Sequence, residues 1–375
     1  MAETSPQAEA ARAQIGVAQG ALRQAGLGPN PRIYLSSEDI RPWADTFSFA
    51  NNTEDYGYLG QTFELDGKRS RRVGVARADL RRAEAEAALQ KAQIAGRVAS
   101  AYWGLALATG VRDLLTQDLK AVDEIVRYHQ ERVDAGAMRG VDLLRMQIER
   151  DRISIALDSA ERDVEVARVD LFRQIGRRPD PTLTLSETLS STVPAPPTDI
   201  EAAIANRPDV AAARETVATA EANIRLQHAM AIPDPDVLGG YKRNGGADTL
   251  YASIQIPLPF RNRNQGEIAR AEANLRIAKA RLQQTELSAR ADIAAAQAVY
   301  EHQVHIAQGT LPDMRSRARK NLEILDDAYR SGGVDLLRYI DAERTEIDVE
   351  VNALRTLADL RQSVVRLQLA FGAQL

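Results

Sequence analysis

The chain has four histidines, and two of them, His302 and His305, stand three residues apart. Imidazole pairs hold metal ions, but on a helix the productive spacing is four, and two nitrogens leave half a tetrahedral shell unfilled. Both are therefore expected to be solvated or partner-facing, and no metal ligand set is assigned. His129 falls on an apolar helical seam, where a core histidine is the expected role. There is no cysteine, which excludes thiolate metal sites, disulfides and a cysteine nucleophile. No Ser/His/Asp order, phosphate-cradling loop or carboxylate pair stands out where 27% of residues are charged, so no enzyme and no cofactor is expected. What remains is charge chemistry at helix ends. Asp142 and Asp335 lie near helix starts, where negative charge is favoured. Arg338 and Asp341 are three apart on one helix, close enough to pair.

Those aspartates belong to a repeat that sets the architecture. Gly-Val-Asp-Leu-Leu-Arg occurs at 140–145 and again at 333–338, an offset of 193. Ala76-Arg77-Ala78-Asp79 and Ala269-Arg270-Ala271-Glu272 keep the same offset. Two motifs holding one spacing across a long polar segment indicate a tandem duplication. The expected organisation is a first repeat at 5–176, a linker at 177–206 and a second repeat at 207–375.

Aromatic residues make up only 5% of the chain, against 44% hydrophobic residues overall. With so much alanine, glutamate, arginine and leucine, this composition points to long helices rather than a thick globular core. A net charge of −4, with both signs interleaved, gives no reason to expect nucleic acid as a partner. No apolar run reaches the ~18 residues of a membrane-spanning helix. Met1–Ala11 lacks the hydrophobic centre of a secretory signal. A processed or shortened chain is therefore expected; a complete one would stay in the cytoplasm.

Each repeat reads as helix, β-hairpin, long helix, tight turn, returning helix. Ser5-Pro6 and Arg207-Pro208 open the first helices, with proline pre-organised at the first helical position. Pro29-Asn30-Pro31 and Pro233-Asp234-Pro235 end them and push the chain into extended conformation. Strands are expected at about 32–40 and 56–65, then at 236–243 and 249–256, the last two joined by Asn244-Gly245-Gly246, a hairpin signal. The last strand alternates, with Leu250, Ala252, Ile254 and Ile256 on one face and Tyr251, Ser253 and Gln255 on the other. Long helices follow at about 68–134, ~100 Å at ~1.5 Å per residue, and at 264–329. Val111, Leu115, Leu119, Val122, Val126, His129 and Val133 form a near-heptad seam. Ile153, Leu157, Ala160, Val164, Ala167 and Leu171 answer it on the returning helix. Pro312 has no counterpart in the first repeat, where Leu119 stands. A proline inside a helix removes a hydrogen bond and bends the axis, so the second hairpin is the expected mover.

Four short strands cannot form a stable sheet alone in water. Several copies pooling their strands in one closed barrel, apolar outside and polar inside, would satisfy every backbone group in lipid. At this point the sequence resembles the TolC-like outer membrane efflux proteins. The resemblance rests on Pro29-Asn30-Pro31, on Glu64-Leu65-Asp66-Gly67-Lys68-Arg69 after the second strand, and on the Gly-Val-Asp-Leu-Leu turns. After the fourth strand, Ile256-Pro257-Leu258-Pro259-Phe260 and Asn262-Arg263-Asn264-Gln265-Gly266 look most like the branch serving cobalt–zinc–cadmium efflux.

The resemblance implies a mainly α fold with four β-strands: duplicated coiled-coil hairpins and two β-hairpins. Three chains would build a 12-stranded barrel in the outer membrane of a Gram-negative bacterium, continued by a periplasmic α-helical barrel. It implies a homotrimer in contact with outer membrane lipid, a periplasmic adaptor, and an inner-membrane RND-type pump that passes heavy-metal cations to this passive duct. Gly140, Val141, Asp142, Leu143 and Leu144, with Gly333, Val334, Asp335, Leu336 and Leu337, would be the adaptor-binding tips. Asp341 corresponds to the family's acidic gate position, and a second acidic position falls on Arg338. Three Asp341 side chains about a threefold axis would attract cations; alternatively, Arg338 and Asp341 pair and latch the closed state. The competing class is a soluble coiled-coil scaffold or an adaptor, although an adaptor has one helical hairpin per chain and much more β-structure.

Overall fold

The computed structural model describes residues 5–190 and 198–373. In chain order these form α1 (Pro6–Ala25), β1 (Arg32–Glu38), α2 (Phe49–Asn52), β2 (Glu54–Thr62), α3 (Lys68–Asp134) and α4 (Gly140–Ile175). Then come α5 (Ile200–Asn206), α6 (Pro208–Met230), β3 (Asp236–Asn244), β4 (Ala247–Gln255), α7 (Gln265–His305), a π-helical turn (Ile306–Thr310), α8 (Leu311–Arg330) and α9 (Leu336–Ala370). The chain divides into two compact units, each drawing on both halves of the sequence. No helix among the described residues is long and apolar enough to cross a membrane.

One unit comprises Arg12–Ala87 and Asp209–Thr285. Its centre is an antiparallel sheet in the order β1-β2-β3-β4, so β1 and β4 are both edge strands. Register decides the character of its faces. Ile33 pairs with Leu59, Leu59 with Gly239 and Gly239 with Ala252; one step along, Tyr34, Tyr58, Gly240 and Tyr251 share a row. Side chains alternate between faces. Ile33, Leu35, Leu59, Val237, Tyr241, Leu250 and Ile254 therefore share one face, and all of them are exposed, Leu250 by 92%. The opposite face carries the tyrosine row with Arg32, Asp236, Glu54 and Lys242. There Arg32 meets Asp236 at 2.9 Å and Lys242 meets Glu54 at 3.1 Å. The expected alternation of β4 thus extends to the whole sheet.

Gly240 is fixed by that row. A Cβ there would lie 2.2 Å from the Gly57 carbonyl oxygen and 2.5 Å from Tyr58 Cα. With no side chain between them, the Tyr58 and Tyr251 rings come together at 4.9 Å. The second hairpin turns through Gly245 and Gly246, both at positive φ, as an Asn-Gly turn between twisted strands requires. The first hairpin differs from expectation: Asn51 and Asn52 lie in the short helix α2 rather than in loop. The Asn52 side chain accepts a bond from the Ser48 N–H and Thr53 Oγ1 donates to the Phe49 carbonyl, which closes that turn. Asp234, between the two prolines, joins strands to helices. It accepts from the Leu65 N–H at 2.8 Å and pairs with the buried Lys68 ammonium at 2.8 Å.

The other unit comprises Met1–Ala11, Ala88–Pro208 and Glu286–Leu375. Its core packs both helical hairpins together: Leu115 and Val122 of α3, Met146, Ile153 and Ala160 of α4, and Leu336, Tyr339, Ile340 and Ile347 of α9. The expected seam is present, with Val111, Leu119 and Val126 half-buried against this cluster. The described part of the linker lies on the helices. Tyr102 Oη accepts from the Glu187 N–H at 2.8 Å, and Arg361 stacks on Trp103 while donating to the Leu189 carbonyl. Pro194, Pro196 and Pro197 of that linker lie outside the described residues. Pro312 breaks the second long helix into α7 and α8. The proline has no N–H to give to the preceding turn, and the backbone widens into the π turn before it. In the first repeat α3 runs unbroken for 67 residues.

Gly240→Ala should destabilise the sheet by about 1–3 kcal/mol, the usual cost of forcing a methyl into a filled site. Thermal unfolding followed in the β-region of the infrared amide band should show the loss while the helical signal keeps its midpoint.

Candidate functional site

The two helical turns are the first place to look, because the repeated hexapeptide flanks them. Each bend ends its incoming helix with a glycine in the left-handed region, Gly136 (φ 68) and Gly332 (φ 78). Ala137 N–H bonds the Arg132 carbonyl at 2.8 Å and Gly333 N–H bonds the Ala328 carbonyl at 2.7 Å, the closure expected after such a glycine. These glycines stand 196 apart (332 − 136 = 196), three more than the sequence repeat. The hexapeptides are therefore not structural twins. Gly140, Val141 and Asp142 already belong to the first turn of α4, and the bend is residues 135–139. Gly333, Val334 and Asp335 lie in the second bend, and Asp335 caps α9 by accepting from the Arg338 N–H at 3.1 Å. Asp142 sits in the first turn of α4 and stands 3.9 Å from Arg145.

The paired leucines divide in the same way in both copies. Leu143 and Leu336 are buried at 7% and 5% exposure, whereas Leu144 and Leu337 are exposed at 59% and 61%. Only the second leucine of each pair can touch a partner. No ion pair joins Arg338 and Asp341 in this structure, and both side chains are exposed. The Arg338 backbone is held by Asp335, and the Asp341 carbonyl accepts from Thr345 Oγ1. The i, i+3 spacing permits a pair but does not impose one when both groups are fully hydrated.

Near the same tips, His129 is fully buried and its Nε2 lies 2.8 Å from the Tyr329 hydroxyl. Tyr329 in turn stacks on Tyr339, with ring centroids 5.3 Å apart. Burial, helped by Arg132, holds the imidazole below its usual range. It is a core histidine joining α3 of the first hairpin to α8 of the second, with Nδ1 left unbonded. His302 and His305 are exposed at the end of α7. Among the described residues there is no group of three or more histidines and carboxylates placed to hold a metal.

A charged layer that the sequence did not announce lies deeper in this unit. Glu149 is buried and bonded by Arg152 at 2.7 Å and Arg344 at 2.9 Å. Burial raises its pKa, but Arg344 and Arg152 outweigh that and hold it below the usual carboxylate value. Glu343 lacks such a partner. It is 7% exposed and its Oε2 is unbonded. Burial, then the charges of Glu149 and Asp118, push its pKa up to about 7. Asp118, facing Glu346 and Glu350, is pushed up to about 6, chiefly by burial.

Two stripes complete the surface of the hairpins. On α4, Val141, Leu144, Ile148, Ile155, Val166 and Val169 are all exposed. At ~100° per residue they fall within about a quarter of the circumference, opposite the buried stripe of Met146, Ile153 and Val164. On α9 the exposed stripe is polar: Arg338, Asp341, Thr345, Asp348, Asn352 and Arg355. One helix therefore has two apolar sides, and another presents a charged side to water.

Comparison with known proteins bears on this arrangement. The family model described as "Outer membrane efflux protein" matches residues 1–177 and 200–373. The chain is 24% identical to the cobalt-zinc-cadmium resistance protein CzcC of Cupriavidus metallidurans, over 97% of this chain and 86% of that protein. It is 27% identical to the nickel and cobalt resistance protein CnrC of the same organism, over 75% of this chain and 66% of that one. Among solved structures, the fold is similar to CusC (TM-score 0.83, 16% identity, 99% of this chain and 90% of that chain). It is also similar to the outer-membrane channel OprN (0.82, 19%, 98% and 87%). A third is VceC of Vibrio cholerae (0.78, 21%, 99% and 94%).

The Glu343 carboxyl sets a pH dependence whose sign follows from its position. Its folded pKa is raised from 4.5 to about 7, so its contribution is fully favourable below pH ~4.5 and is lost as pH rises through ~7. Glu343→Gln should gain about 1–3 kcal/mol at pH 8 and little at pH 4.5. Thermal melts across that range would check it.

Proposed function

The chain belongs to the outer membrane efflux protein family, and we propose that it is the exit duct of a tripartite heavy-metal efflux system. The observation that carries this reading is the sheet. One face is apolar and exposed, the other is polar, and both outer strands are edges. In lipid, unpaired edge N–H and C=O groups cost several kcal/mol each, so the sheet must close. Copies of the chain supply the missing partners, β4 of one against β1 of the next. Three copies of a four-stranded sheet make a twelve-stranded barrel, with the tyrosine row and ion pairs lining the water-filled side. The α4 stripe supports the same assembly, because a second copy can cover it. The chain then reads as two repeats, 5–176 and 207–375, joined by 177–206.

The tips are the surface for a periplasmic adaptor, with Leu144 and Leu337 as its apolar contacts. The adaptor links the duct to an inner-membrane pump of the RND type. Asp341 stands on the polar α9 stripe near the tip, where three copies would form a ring that favours cations. Arg338, one turn nearer the tip, moderates that ring. The π turn before Pro312 gives the second hairpin a point of yield that the first lacks. The cargo assignment is supported by the resistance proteins CzcC and CnrC, whose names concern cobalt, zinc, cadmium and nickel.

Expressed with a secretion leader, the protein should fractionate with outer membranes and run as a trimer; a soluble monomer contradicts the duct. Leu144→Ser with Leu337→Ser should abolish adaptor co-purification while leaving the melting temperature unchanged. Leu143→Ser or Leu336→Ser should instead cost about 2–5 kcal/mol of stability, as large core truncations do.

A further inference from the structure

Beyond β4 the chain keeps its outward pattern without being a strand. Leu250, Ala252, Ile254, Ile256, Leu258 and Phe260 occupy every second position. Of the last two, Leu258 is 68% and Phe260 78% exposed. Pro257 and Pro259 fall between them and hold Ile256 and Leu258 extended, and the chain then bends at Pro259. The loop is braced by its own bonds. The Phe260 N–H bonds the Leu258 carbonyl at 2.9 Å, Arg263 Nε donates to the Pro259 carbonyl at 3.2 Å, and Gln265 Nε2 donates to the Arg261 carbonyl at 3.0 Å. Asn264 fastens its far end to the Gln227 carbonyl at 2.7 Å. The braced loop presents two large apolar side chains to solvent. Directly after them come Arg261 and Arg263. Neither makes an ion pair among the described residues; the Arg263 guanidinium donates to the Pro259 carbonyl, while the Arg263 N–H donates to Gln265 Oε1 at 2.7 Å.

Dimensions say what covers this surface. β4 has nine residues; its eight steps of ~3.3 Å reach ~26 Å, and at a tilt of ~40° they give ~20 Å of height, short of the ~25 Å apolar band of such barrels. The missing height lies at the end leading to α7, where Ile256 and Leu258 keep the alternation of β4 and exposed Phe260 follows the bend. On the proposed barrel, that end faces the periplasmic leaflet.

Resting on that reading of the chain as an outer membrane duct, we infer that residues 256–263 form a lipid-interface anchor, with Leu258 and Phe260 in the acyl region and Arg261 and Arg263 on the phosphates of anionic glycerophospholipids. Continuity with the apolar sheet face and the unpaired positive charge beside it select lipid over a neighbouring copy of the chain. Cationic side chains at a membrane surface favour anionic headgroups, and a phenylalanine beside them suits the boundary between acyl chains and headgroups.

The absence of cysteine permits a single-site test. Phe260→Cys, labelled with an environment-sensitive nitrobenzoxadiazole dye, is inserted as the trimer into vesicles of phosphatidylethanolamine and phosphatidylglycerol. A Glu38→Cys label at the opposite end of β1 serves as the water-exposed control. Phosphatidylglycerol with brominated acyl chains should quench the dye at 260 and spare the dye at 38. Quenching at 260 should favour brominated phosphatidylglycerol over brominated phosphatidylcholine, and Arg261→Gln with Arg263→Gln should lower that preference by about five-fold or more, the factor expected of one surface arginine. A dye at 260 that is shielded yet unquenched, as a covering protein neighbour would leave it, overturns the anchor. So does equal quenching by both lipids. Failure of the unsubstituted chain to insert at all, seen by flotation, overturns the duct reading and the anchor with it.

Discussion

Hydrogen bonding along two strand edges is the constraint on which the rest of the molecule depends. A four-stranded sheet with one apolar face is soluble nowhere as it stands: water rejects the face, and lipid rejects the edges. The proposed pairing of copies would resolve both conflicts at once, and the same pairing would give the polar face an enclosed aqueous volume to line. Gly240 shows how closely this sheet is specified. Its missing side chain lets Tyr58 and Tyr251 meet across β3, so one row of residues bridges all four strands.

The helical unit answers to a different balance. Its hairpins are too polar to be held by a continuous apolar core, and charge is taken inside. Where arginines reach the buried carboxylate, as at Glu149, the charge is retained; where none does, as at Glu343, the proton is. Burial without a partner disfavours the ionised form. The contact between the two hairpins therefore contains both an ion-paired layer and a titratable one, close to the His129–Tyr329 bond that also joins them. The two hairpins are thus joined at this end by polar contacts as well as by apolar burial.

Much of this was legible in the sequence, and the rest was hidden for physical reasons. Prolines at 6, 208 and 312 punctuate the chain, and helix boundaries followed them closely. The seam from Val111 to His129 was readable because period and apolar character coincide. The buried acids were not. Asp118 and Glu343 have the same neighbours in sequence as dozens of solvated carboxylates, and only the packing of α3 against α9 distinguishes them. The repeated hexapeptide misled in detail: identical residues suggested identical tips, yet the bends are set by the left-handed glycines, which are offset by three further residues. Which leucine of each pair faces outward likewise depends on the neighbouring helix.

Amide hydrogen exchange in the membrane-inserted protein addresses the closure of the sheet most directly. In a barrel closed between copies, the outward-edge amides of β1 and β4 exchange as slowly as those of the central strands β2 and β3. Fast exchange confined to those outer amides, with the central strands protected, would mean that the edges are unpaired and would contradict the account.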